Sequence, residues 1–225
     1  MRELQEFKNI HKDNDIYVLA SGKSVDFIDN SFFDNKIIIG INQVYKKVPC
    51  SYLVRKEANF IKKVIEENKD AIHFISRGNC GNRSEDFYKK TANQLKDIDT
   101  KNVVLYEHNS NNHDKGEVKL PKEDNLYVSF STITTGIHLA AYMGAKNIIL
   151  IGHDCGSLNG ECNFKGYHDK KTRQQSSDGH YKNWLSKIQR ATIHLKKVLK
   201  EKYDCNVYSL NPFINFSLEG NVYTK

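Results

Sequence analysis

Four short stretches carry side chains that can act on an anionic or hydroxylic substrate. Ala20-Ser-Gly-Lys-Ser24 combines two hydroxyls, a glycine and a cation in one turn. Such a turn can offer backbone N–H groups to a phosphate, or can simply join a strand to a helix; both roles stay open. It is not a P-loop, which needs a further glycine five positions before Gly22, where Tyr17 stands. Asn42 follows Gly40-Ile41 and can hold a turn through its side chain or present an amide to a base or ribose. Ser131, Thr132, Thr134 and Thr135 place four hydroxyls in five residues, more than one helix cap uses. His153-Asp154 can bind a hydroxyl, a metal or each other.

Cysteines add little. Cys50, Cys80, Cys155, Cys162 and Cys205 are odd in number and scattered, which argues against a disulfide framework. Cys155, Cys162 and His168 match no common zinc spacing, so no metal site is expected.

These stretches need elements to position them. Residues 15–20, 36–40, 51–55, 71–76, 102–106, 147–152 and 206–209 read as strands, most of them continuous apolar runs. Helical spacing marks 58–68, 134–143 and a long amphipathic segment through Trp184, Ile188, Ala191, Leu195 and Leu199. Residues 107–125 are polar and read as a mobile loop. Strands that are apolar throughout and alternate with helices predict an α/β fold with a mostly parallel sheet flanked by helices. In such a sheet ligands collect beyond the carboxyl ends of the strands, where the glycine turn, Asn42 and His153-Asp154 lie.

Length and composition fit one domain. The 225 residues weigh 26.0 kDa. A hydrophobic content of 39% with three prolines excludes a disordered or collagen-like chain. No apolar run approaches the roughly 20 residues of a membrane span. The opening Met1-Arg-Glu-Leu-Gln-Glu-Phe-Lys8 lacks a signal peptide's apolar stretch, so a cytoplasmic location is expected. The net charge of +7 is spread among acids, not gathered in a basic arm, and suits an anionic small substrate as well as nucleic acid.

As a set, the stretches resemble the bacterial oligosaccharide sialyltransferases and the related motility accessory factor and 6-hydroxymethylpterin diphosphokinase-like proteins. Val18-Leu-Ala-Ser-Gly-Lys-Ser-Val25 resembles their opening glycine element, and Ile39-Gly-Ile-Asn-Gln-Val-Tyr45 a sialyltransferase element ending Asn-Gln-Phe-Tyr. Ile133-Thr-Thr-Gly-Ile-His-Leu-Ala-Ala-Tyr-Met-Gly-Ala-Lys-Asn-Ile-Ile-Leu-Ile-Gly-His-Asp154 resembles the Ser/Thr-Gly helix, turn, strand and Gly-x-Asp of both. Asp178-Gly-His-Tyr181 and Val207-Tyr-Ser-Leu-Asn-Pro212 resemble two later elements.

The resemblance implies a Rossmann-like nucleotide-binding domain over residues 1–225, with a mobile lid at about 155–179. It implies nucleotide contacts at Ser21, Gly22, Asn42, Thr134, Thr135, Gly152 and Asp154, with Lys23, Ser24 and His153 beside them. The activity implied is transfer of a sugar from a nucleotide donor, most plausibly a CMP-linked acidic sugar, to a glycan acceptor. That reaction requires no cofactor. The sialyltransferases' catalytic histidine falls on Trp184, which cannot accept a proton from a hydroxyl, so His180 becomes the expected base and His168 the second candidate. Tyr181, Tyr167 and Lys23 are expected to stabilise the departing phosphate. The pterin relatives imply diphosphate transfer from ATP with Mg2+ on Asp154 and Asp169, and a non-catalytic nucleotide-binding module is a third reading. With Lys23, Lys165, Lys170, Lys171 and Arg173 near the expected anion, nucleic acid is not an expected partner. No transmembrane segment is expected, and the sequence leaves room for a homo-oligomer.

Overall fold

The structure is a computed structural model that describes residues 1–56, 59–77, 84–110, 120–121, 125–158, 161–167 and 179–211. Of residues 84–87, 108–110 and 179–184 the backbone alone is described. Its centre is one open sheet of eight strands, β1 (Asp15–Leu19), β2 (Ile37–Ile41), β3 (Tyr52–Arg55), β4 (Ile72–Ser76), β5 (Val103–Ser110), β6 (Asn125–Val128), β7 (Asn147–Ile151) and β8 (Asn206–Ser209). They lie in the order β6-β5-β4-β3-β2-β1-β7-β8, and every pairing is parallel. The β-branched runs behave as central strands should. Val18 lies opposite Ile39 on one side and Leu150 on the other, and all three are buried.

The order fixes where a ligand can enter. From β1 the chain winds outward to β6, then returns across the sheet to place β7 on β1's other side. The strand order therefore reverses at β1 and β7, and the crevice outside their carboxyl ends is the switch point of the sheet. The return is made by α3 (Thr132–Tyr142), all eleven residues of which are buried. It packs against β6, β2 and β1 on one side and α4 (Gly179–Tyr203) on the other. That face holds the larger core, including Ile137, Leu139, Ile188, Leu195 and Leu199. A smaller core with Leu19, Val25, Phe33, Ile38, Ile151 and Phe164 covers the region around β1 and β2.

Several elements depart from the sequence reading. No α-helix follows the glycine turn after β1; Lys23–Phe27 is one 3-10 turn. Short helix α1 (Ile61–Glu67) starts three residues later than its spacing predicts. Helix α2 (Ser84–Leu95) and strand β6 were not anticipated, and β5 runs on through Ser110, into the stretch read as a loop. The rest of that stretch, apart from residues 120–121, lies outside the described residues up to β6. Among the described residues no helix is long and apolar enough to cross a membrane.

Candidate functional site

At the switch point a cleft with a cavity volume of about 180 Å³ opens between the ends of β1, β2 and β7 and the start of α3. A buried water needs about 10–15 Å³, so this is space for a ligand and not a packing defect. Its walls include Ser21, Gly22, Asn42, Ser131, Gly152, His153, Asp154, Asn163 and Tyr167, with Leu185 and Ile188 from α4.

Two glycines set its floor. Gly22 N–H donates to the Gly152 carbonyl at 2.7 Å, which draws the turns after β1 and β7 together. A Cβ on Gly22 would lie 2.3 Å from that carbonyl oxygen and 2.4 Å from Asp154 Oδ2. Gly152 has φ +67, and its Cβ would lie 2.4 Å from Val25 Cγ2. Side chains are thus excluded at both turns, at Gly152 by backbone conformation as well as space.

Asp154 is committed to this junction. Its Oδ2 accepts from Ser24 N at 2.8 Å and its Oδ1 from Ser24 Oγ at 2.5 Å, while Asn211 Nδ2 donates to Oδ1 at 3.4 Å. Burial pushes its carboxyl above the ordinary value, and the Ser24 bonds oppose the rise. Ser24 is itself fully buried. Both residues, expected at the nucleotide, brace the turn; only Asp154 also reaches the cleft wall.

Lys23 is not among the residues of the cleft wall, and its charge is taken up by neighbouring carboxylates. Its ammonium lies 3.0 Å from Asp26 and pairs with Glu161, and Lys47 pairs with Asp26 at 3.2 Å. Two carboxylates, Asp26 at i+3 and Glu161 on the loop bonded to the turn, take up the cation expected to meet a phosphate.

Residues 161–167, placed in the expected lid, are fastened down. Ser21 Oγ donates to Asn163 Oδ1 at 2.8 Å, Phe164 N to the Ser21 carbonyl at 2.9 Å, and Lys165 N to Asp26 Oδ2 at 2.9 Å. Phe164 is buried in the smaller core, with its ring edge-on to Tyr167 at 5.2 Å. A polar stretch with one deep aromatic anchor is a docked loop, not a free lid. The remaining expected lid residues, with His168, Asp169, Lys170, Lys171 and Arg173, lie outside the described residues.

Tyr167 closes the wall beside Asn42. Burial raises its hydroxyl pKa, and hydrogen bonds with the Ser21 and Asn42 side chains oppose this. The hydroxyl therefore stays protonated at neutral pH and is a donor. Asn42 sits at φ 57, the left-handed region that asparagine tolerates, and its N–H donates to the Val54 carbonyl at 3.1 Å. Its side-chain oxygen is buried with no hydrogen-bond partner. A buried acceptor left unpaired costs about 1–3 kcal/mol, which a ligand donor would recover.

The hydroxyl cluster divides. Ser131 caps α3 and lines the cleft, as does Ile133. Thr134 Oγ1 donates to the Ser131 carbonyl at 2.8 Å and accepts from Ser129 N at 2.9 Å, sealing the turn from β6. Thr135 is fully buried on α3 with its hydroxyl unpartnered. Neither threonine is among the residues of the cleft wall.

His153 ties β7 to α4. Thr192 Oγ1 gives its proton to the Ile188 carbonyl at 3.1 Å, so at 2.9 Å it accepts from His153 Nε2–H. Burial lowers His153 to about 4, and on α3 it lowers His138, whose Nδ1 accepts from Tyr127 N at 3.0 Å, to about 3. Both are neutral when folded at pH 7. Between pH 6.5 and those values the unfolded chain binds protons that the folded chain refuses, so stability falls with pH. We expect His153 and His138 together to lower the wild-type unfolding free energy by about 4 kcal/mol between pH 7 and pH 5. His73 and His11, also lowered by burial, add to the drop, and the raised Asp154 opposes it. Carboxylates held low, such as Asp26, titrate below that range. Urea titrations at the two pH values measure it, and equal midpoints would refute the assignment.

His180 and Tyr181 lie in the first turn of α4, and nothing of their side chains or that of Trp184 is described. Among the described residues no three His, Cys, Asp or Glu side chains gather to hold a metal ion. Ser131, Ile133, Cys155, Cys162 and Asn163 were not anticipated as lining residues; only Ser131, within the hydroxyl cluster, carried a sequence signal.

The fold and cleft define a parallel α/β protein with a candidate ligand site at its switch point. No protein-family model and no curated sequence matches the chain. Two solved structures superpose on the chain. The sialyltransferase CstII from Campylobacter jejuni, solved in complex with the substrate analogue cytidine-5'-monophosphate, superposes with a TM-score of 0.52 at 16% identity, over 94% of this chain and 87% of that one. The MAf glycosyltransferase from Magnetospirillum magneticum AMB-1 gives 0.48 at 15% identity, over 92% of this chain and 35% of that one. The Rossmann-like arrangement implied by the sequence motifs is thus present.

Proposed function

We propose that the protein is a glycosyltransferase that binds a nucleotide-activated sugar, CMP-linked and acidic, in the cleft and transfers the sugar to a glycan acceptor. The observation that carries this reading is the unpartnered Asn42 oxygen on the wall of a cleft at the switch point. That acceptor suits the exocyclic amine of cytosine or a ribose hydroxyl. The shared fold with a structure crystallised with CMP supports the choice of base.

Inverting transfer needs a base for the acceptor hydroxyl and a donor for the departing phosphate oxygen. Tyr167, protonated and beside Ser21 and Asn42, is the donor. Lys23, held by Asp26 and Glu161, contributes little net charge. His180 is assigned as base, with His168 second and Tyr181 as an additional donor. Diphosphate transfer from ATP is the alternative; there Asp154 would have to leave Ser24 to ligate Mg2+.

Thermal shift with CMP, CDP, ATP and a pterin, with and without Mg2+, tests the reading. We expect CMP to raise the melting temperature regardless of Mg2+. A shift confined to ATP with Mg2+ would replace sugar transfer by diphosphate transfer, and no shift would leave neither.

A further inference from the structure

Beyond β3 the chain makes a costly arrangement that the nucleotide cleft does not use. Phe60, the residue preceding α1, has φ 62 and ψ 17. A bulky residue in this left-handed region is a genuine outlier that carries backbone strain. Phe60 is 62% exposed, so apolar burial does not offset the strain. Phe27 and Tyr208 are also exposed, but at φ values that need no such constraint.

The conformation is held from below by a buried cation. Arg55, at the carboxyl end of β3, is 6% exposed. Its Nε donates to the Asn59 carbonyl at 3.0 Å, and its Nη2 donates to the same oxygen. That carbonyl belongs to the peptide that enters Phe60. On the other side the Phe60 carbonyl accepts from Val64 N at 3.0 Å, which starts the helix. The backbone of Phe60 is thus clamped at both ends while its side chain points away from any core.

The position is next to the cleft. β3 pairs with β2, and Val54, one residue before Arg55, accepts from the Asn42 N–H on the cleft wall. The charge of Arg55 is felt at Tyr167, on the same wall. Phe60 thus follows the carboxyl end of β3, one strand over from the β2 end that carries Asn42 on the cleft wall.

We propose that Phe60 is an aromatic platform for a pyranose ring of the acceptor glycan, held in place by Arg55. This rests on the sugar-transfer reading, in which a second saccharide must lie beside the donor. A phenyl face carries negative charge density and an apolar surface, and the C–H face of a pyranose matches both. A rigid, pre-exposed ring binds without first being ordered, which is what the clamp provides.

Saturation-transfer NMR with lactose as the pyranose probe tests the platform on wild type, Phe60→Ala and Phe60→Trp. We expect saturation of ring C–H protons in wild type, at least about threefold less in Phe60→Ala, and retention in Phe60→Trp. Phe60→Asn, which tolerates the left-handed backbone, should bind lactose as poorly as Phe60→Ala and melt at the wild-type temperature or about 2–4 °C higher. Equal saturation in wild type and Phe60→Ala, or none in wild type, overturns the proposal. The CMP shift should be the same in all four proteins. Its absence from wild type with lactose saturation intact would remove the nucleotide reading and leave the platform.

Discussion

Gly22→Ala should destabilise the protein by about 3 kcal/mol or more and remove nucleotide binding with it. The backbone of Gly22 is ordinary, at φ −61 and ψ 157, so alanine meets no conformational obstacle. The cost is space. The new methyl would lie 2.3 Å from the Gly152 carbonyl oxygen, 2.4 Å from Asp154 Oδ2 and 2.6 Å from Asp154 Cγ. Neither neighbour can yield. The carbonyl belongs to a glycine at φ +67 whose own surroundings are filled by Val25 and the Ala20 carbonyl. The carboxylate is buried and holds both Ser24 donors.

The turns must therefore separate, and three hydrogen bonds weaken together: Gly22 to Gly152 and the two from Ser24 to Asp154. At about 2–4 °C per kcal/mol for a chain of this size, the melting temperature should fall by roughly 6–12 °C. Ser21→Ala is the matched comparison. It loses the 2.8 Å bond to Asn163 and the side-chain bond with Tyr167, together worth about 1–2 kcal/mol. If Gly22→Ala melts with or above Ser21→Ala, the close junction does not carry the cleft.

The sheet was legible because its central strands are unbroken apolar runs. Residues 36–40 and 147–152 could hardly be anything but buried strands, and both lie beside β1. What escaped lacked that signal. β6 is four residues at the end of a polar stretch, and α2 carries too few apolar residues to mark a face. Of the first fourteen residues only Leu4–Phe7 forms a 3-10 turn, with no periodicity around it, yet Leu4 and Phe7 are buried and Phe7 packs edge-on to Phe74 at 5.0 Å.

At the site, backbone demands read better than side-chain partners. Gly22, Asn42 and Gly152 all fall on the cleft because turns after parallel strands require such residues at such places. Charge and hydroxyl assignments were weaker. Lys23 looked like a phosphate ligand until Glu161, 138 positions away in the chain, was seen to pair with it. Thr134 looked like a ligand contact and instead closes its own turn. Asn163 reaches the wall because Phe164 anchors its loop, a tertiary contact with no local pattern.

The account turns on Asn42, and the second large effect is expected there. Glycine keeps the φ 57 backbone and the bond to the Val54 carbonyl while deleting the amide. The unpartnered oxygen is the group we assign to the nucleotide, so its loss should cost binding and leave the fold intact. Removing an acceptor with its own buried penalty also relieves the free protein, which adds to the contrast. Calorimetric titration with CMP into wild type and Asn42→Gly, without Mg2+, is the direct measurement. We predict saturable one-site binding to wild type and affinity about tenfold or more weaker in the variant. Equal affinity in the two proteins, or no binding of CMP to wild type, would contradict the cleft as a nucleotide site.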